Sequence, residues 1–138
     1  MSSASNFQIP AYIDATAMTA TITGAWIPIA AVDNISFQVV STAAGTPVGA
    51  ISFEVTNARG VAANPGTGTP PLPASSASAT ALTLTSAQST AAAINNNTLN
   101  FVFEFTQMSE AFMRMVYTRS SGGSGDTMTV GVMAKAQS

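Results

Sequence analysis

Leu99-Asn100-Phe101-Val102-Phe103-Glu104-Phe105-Thr106 places a large apolar side chain at every odd position. Successive side chains of an extended strand point to opposite faces. This spacing therefore collects Leu99, Phe101, Phe103 and Phe105 on one face and sets Asn100, Glu104 and Thr106 on the other. The same period of two returns in Ile35-Ser36-Phe37-Gln38-Val39 and in Ile51-Ser52-Phe53-Glu54-Val55-Thr56. Shorter versions are Leu82-Thr83-Leu84-Thr85 and Met128-Thr129-Val130-Gly131-Val132. Thr19-Ala20-Thr21-Ile22-Thr23 is a weaker early strand leading to Trp26-Ile27-Pro28-Ile29. Phe112-Met113-Arg114-Met115-Val116-Tyr117-Thr118 is apolar at both parities apart from its arginine, which predicts a strand covered on both sides. Val, Ile, Thr, Phe and Tyr, which fill these segments, suit a pleated, half-buried surface. The inner faces are expected to bury Phe37, Phe53, Phe101, Phe103 and Val130.

Turn chemistry separates the strands. Ala43-Ala44-Gly45-Thr46-Pro47 is one such turn, and Ser120-Ser121-Gly122-Gly123-Ser124-Gly125-Asp126 is read as a hairpin turn. One short helix is expected, capped by Ser86, running to Ile94 and ended by Asn95-Asn96-Asn97. Seven or eight strands with short turns and little helix indicate an all-β chain, an antiparallel two-layer β-sandwich or jelly roll. At 138 residues the chain fits one domain, expected over 19–138, with 1–18 as an N-terminal arm or first strand. A long irregular stretch at about 59–80 carries four prolines and two glycines between Val61 and Pro73, too many for a regular ladder. It is either a flexible insertion or an arm that drapes over a neighbouring subunit.

Histidine and cysteine are absent, and four basic and six acidic residues carry all the side-chain charge. Chemistry near neutral pH usually needs a proton carrier that titrates there, a thiolate or a cluster of metal ligands. The chain offers none of these, so it reads as a structural or binding protein, not an enzyme, with no cofactor and no metal. Four scattered cations cannot neutralise a row of phosphates, which argues against nucleic acid. No apolar run approaches the length of a spanning helix, which argues against a membrane. The first residues lack the basic start and apolar middle of a signal peptide, and synthesis in a reducing cytoplasm is expected. A net charge of only −2 opposes association little, so a homodimer is expected, with a trimer as the second choice.

A few residues could carry chemistry or contacts of their own. Glu54 and Glu104 on adjacent strands could approach as a glycosidase pair, but both read as solvated outward charges. Arg114 sits among core residues and needs a partner, which Glu54, Glu104 or Glu110 could supply as a structural ion pair. Asp126 has no second acid near it in sequence for a calcium site. Trp26 is a core or rim aromatic. Phe7, Ile9, Pro10, Tyr12 and Ile13 form an apolar N-terminal segment that either folds back as a core strand or docks on another chain. The irregular parts are the expected partner contacts: Phe7, Ile9, Tyr12 and Ile13 at the N-terminus, and Val61, Pro70 and Leu72 in the proline-rich loop.

Phe112 to Gly125, followed by the strand Met128 to Ala134 and then Lys135, resembles a small β-sandwich protein of tailed-phage virions. The shared pattern is aromatic, spacer, arginine, apolar, Tyr-Thr, a Ser-Gly-rich turn, an alternating strand and a final basic residue. Ile51 to Asn57 resembles the strand before the long loop of these proteins. In length and composition the chain is similar to the capsid cement, or decoration, proteins of tailed bacteriophages. That resemblance implies a jelly-roll subunit on the virion exterior that bridges adjacent major capsid proteins and carries no catalytic residue. Two other classes remain beside it: a head-fibre, tail or baseplate sandwich, and a carbohydrate-binding module, for which one Trp and two Tyr are few.

Overall fold

The computed structural model describes residues 6–58, 72–74, 78–106 and 109–136. Among these, ten strands and one helix follow in order: β1 (Asn6–Ala17), β2 (Ile22–Thr23), β3 (Ile27–Pro28), β4 (Val32–Ser41), β5 (Val48–Thr56), β6 (Thr80–Ala81), α1 (Ser86–Ala92), β7 (Ala93–Asn95), β8 (Leu99–Thr106), β9 (Phe112–Ser121) and β10 (Thr127–Ala136). They form a four-stranded sheet in the order β1-β10-β4-β8 and a second sheet in the order β2-β9-β5-β6, with β3 on β9 and β7 on β5. All pairings are antiparallel. The chain is an all-β sandwich whose long strands pass repeatedly from one sheet to the other.

Register follows from the alternation. In the four-stranded sheet, Ile9, Val132, Phe37 and Phe103 lie side by side across the strands, as do Phe7, Ala134, Ile35 and Phe105. In the second sheet Phe53 opposes Met115, Ile51 opposes Tyr117 and Val55 opposes Met113. A slip of one residue would send each of these rows to solvent, so the apolar parity itself fixes the pairing. Phe53 joins the layers: its ring centroid lies 5.0 Å from Phe37, 5.0 Å from Phe103 and 4.8 Å from Phe105.

Phe37, Phe53, Phe103 and Val130 are buried as expected, but Phe101 is only partly buried. It lies on β8, the outermost strand of its sheet, and packs against Phe103 with centroids 4.8 Å apart. Strand β9 is buried on both faces from Phe112 to Tyr117. The predicted strand at Leu82–Thr85 is absent; the pairing there is limited to Thr80–Ala81. The helix is capped one residue earlier than expected. Thr85 accepts from the Gln88 amide, and the Gln88 side chain accepts in return from the Thr85 amide.

The glycine-rich turn is not a hairpin. It carries the chain from β9 in one sheet to β10 in the other. Gly123 adopts φ +91° there, donates to the Gly45 carbonyl and lies against the Met18 backbone where a Cβ would collide. The N-terminal segment is strand β1, paired along β10 with two register shifts.

Candidate interaction surfaces

Several of the chain's few charged residues are held in internal contacts of the fold. Glu54 lies between inward-facing Phe53 and Val55, and Glu104 between inward-facing Phe103 and Phe105. They project from the outer faces of different sheets, so the glycosidase geometry does not arise. Arg114 Nε donates to Glu54 Oε1 at 2.8 Å, and its guanidinium stacks 4.3 Å from the Trp26 ring centroid. Glu104, also named from the sequence as a partner of Arg114, is not one: it stands on the other sheet. Trp26 Nε1 in turn donates to the Ala74 carbonyl at 3.2 Å. This chain of contacts fastens the 72–74 segment over the outer face of β9.

Asp126 is buried in the glycine turn. One carboxylate oxygen accepts from Thr42 Oγ1 at 2.8 Å and the Ala44 amide at 2.7 Å, and the other accepts from the Gly45 amide at 2.8 Å. The Asp126 carbonyl also accepts from the Met18 amide. The residue therefore joins three corners where the chain changes sheets. Burial pushes its pKa up, but the bonds from Thr42, Gly45 and Ala44 outweigh burial and hold it below the ordinary value. Among the described residues no group of three His, Cys, Asp or Glu is placed to hold a metal. No helix among them is long and apolar enough to cross a membrane.

The N-terminal contact residues divide. Ile13 is 4% exposed and belongs to the core, which removes it as a partner contact. Tyr12 is half-buried: its hydroxyl donates to the Ala25 carbonyl at 2.6 Å and accepts from the Met115 amide at 3.2 Å, while its ring lines an apolar groove together with Phe7 and Ile9. Gly24 makes room for this ring, since a Cβ there would strike it. Burial pushes the Tyr12 pKa up to about 12, against smaller opposing effects of the Met115 bond and of Arg114. The phenol locks the seam between the two sheets.

Phe7 and Ile9 remain partly open. They form one wall of a groove of about 550 Å³ whose other wall is Trp26, Ile27 and Pro28. Ile27 and Pro28 of that wall make up β3, which is only two residues long. β1 is also the outermost strand of its sheet, so its far backbone edge pairs with no described strand. Leu72 is 49% exposed. Val61 and Pro70 lie outside the described residues.

A second surface was missed in the sequence. Val40, Val102 and Met133, at 43%, 49% and 44% exposure, all stand on the outer face of the four-stranded sheet. Ser36, Gln38, Asn100 and Thr129 fill the spaces between them. Around Gly131, a shallow groove of about 400 Å³ is lined by Gln8, Pro10, Gln38, Val102 and Met133. The signal was present: Val40 and Val102 occupy outward positions of alternating strands, where a polar residue would ordinarily stand. Comparison of the chain with protein-family models, curated proteins and solved structures finds no match.

Proposed function

We propose that this chain is a structural virion protein that binds the outer surface of an icosahedral phage capsid and cements adjacent major capsid proteins. The observation that carries the reading is the seam at β1. There an open strand edge runs beside an apolar groove. An extended segment of a shell protein can pair with the free edge of β1 and set its side chains against Phe7, Ile9, Trp26 and Pro28. The order β1-β10-β4-β8 against β2-β9-β5-β6 supports a jelly-roll reading of the winding.

Such a protein acts by mass action. It binds the assembled shell and not the separate subunits, so occupancy stabilises the shell, and symmetry repeats each weak contact many times. A surface with few charges makes that contact insensitive to salt. The carbohydrate alternative is weakened by Trp26, whose ring is buried and faces the Arg114 guanidinium instead of solvent. Co-sedimentation with emptied heads of the source phage tests the proposal. The full chain should pellet with heads and raise their resistance to heat, and Ile9→Asp should abolish both. A chain that stays in the supernatant with heads but pellets with tails would move it to the other virion class.

A further inference from the structure

We propose that the outer face of the four-stranded sheet is a self-complementary surface that holds a second copy of this chain, face to face about a two-fold axis. Three of the four large exposed hydrophobics among the described residues lie on it, within two strand spacings of Gly131. Across the outward positions 34, 36, 38 and 40 of β4, 100, 102, 104 and 106 of β8, and 129, 131, 133 and 135 of β10, only Glu104 and Lys135 are charged. They border one depression together with Asn34, Ser36 and Met133. Neither makes an ion pair among the described residues. The outward positions of these three strands thus sum to zero charge and hold one cation and one anion, which two copies can pair reciprocally.

An axis parallel to the strands and between β10 and β4 brings this about. It sets β10 of one copy against β4 of the other, so the Gly131 trough receives the second copy's Gln38, and Met133 meets Ser36. Lys135 then lies one strand and one outward row from the second copy's Glu104, within reach of a lysine side chain. Four strands about 4.8 Å apart, with a rise of about 3.3 Å per residue, make a face of roughly 500 Å². Two copies bury about 1,000 Å², the lower bound for a specific interface, so the dimer is a weak one. This face is separate from the β1 seam on which the capsid reading rests.

Sedimentation equilibrium of the full chain from micromolar to millimolar concentration tests it. The wild-type chain should dimerise, and two exposed variants should each weaken the dimer about 100-fold: Met133→Asp sets two like charges across the axis, and Val102→Asp desolvates a lone charge in the apolar contact. Leu72→Asp, which lies off the face, should leave it unchanged. Lys135→Glu and Glu104→Lys should each weaken the dimer about tenfold, and the double exchange should restore it. Thermal melts matching the wild type exclude misfolding of these exposed variants. A monomer at every concentration, or a dimer indifferent to both aspartates, overturns the proposal. Failure of the double exchange to restore association overturns the Lys135–Glu104 pairing and the register with it. Shell binding measured separately keeps these outcomes distinct from failure of the capsid reading.

Discussion

Phe53→Ala should be among the costliest single truncations in this molecule. The ring is fully buried and is the point where β5 meets Phe37, Phe103 and Phe105 of the opposite sheet, at 4.8–5.0 Å between centroids. Truncating a buried phenylalanine costs about 3–5 kcal/mol, and because this ring packs on three others the site lies at the upper end, about 4–5 kcal/mol. A domain of this size has about 5–15 kcal/mol of stability, so the variant gives up roughly a third of it or more. With about 3–4 °C per kcal/mol, the melting midpoint falls by roughly 15 °C. Phe101→Ala deletes the same atoms from a partly exposed site with one ring neighbour, and should cost about 1–2 kcal/mol. Urea unfolding followed by circular dichroism measures both. If Phe53→Ala costs no more than Phe101→Ala, the two sheets are not joined through this ring, and the packing described above is wrong.

Asp126→Asn should lower the melting temperature at pH 7 by weakening the bonds to Thr42, Ala44 and Gly45. Because the folded pKa lies below 3.8, the stabilisation is complete above the unfolded value and is lost as pH falls below about 4, so melts of the two proteins should converge there. Glu54→Ala should cost about 2–3 kcal/mol, reduced from the fully buried case because Glu54 is partly exposed, and Glu54→Met with Arg114→Met should cost less than the two single changes together. Gly24→Ala should displace the Tyr12 ring and cost about 1–3 kcal/mol, visible as earlier titration of one tyrosine at alkaline pH.

The layers of the sandwich were legible because alternation with period two is a local signal. Phe37, Phe53 and Phe103 declare their faces through their immediate neighbours, and the structure buries all three. Phe101 has the same parity and is less buried, because exposure also depends on whether a strand is central or outermost. The Gly122–Asp126 turn misled for a related reason: hairpins and sheet crossings use the same residue types, and only the partner of each flanking strand tells them apart. Arg114 announced its need for a carboxylate, but Glu54 and Glu104 stand in identical local patterns and differ only in which sheet holds them. Tyr12 read only as part of an apolar segment, core strand or docking arm, because its bonds to Ala25 and Met115 join residues distant in sequence. The outer face of the four-stranded sheet was hardest to see, since each exposed valine is ordinary until three strands bring it beside Met133.

The capsid reading stands or falls on electron cryomicroscopy of source-phage heads incubated with this chain. Density for the sandwich is expected at repeated positions on the outer shell, with the β1 edge and the Phe7–Ile9 groove against the major capsid protein. Decorated heads should withstand heating that opens bare ones. Bare shells at saturating protein, with no gain in heat resistance, would contradict it.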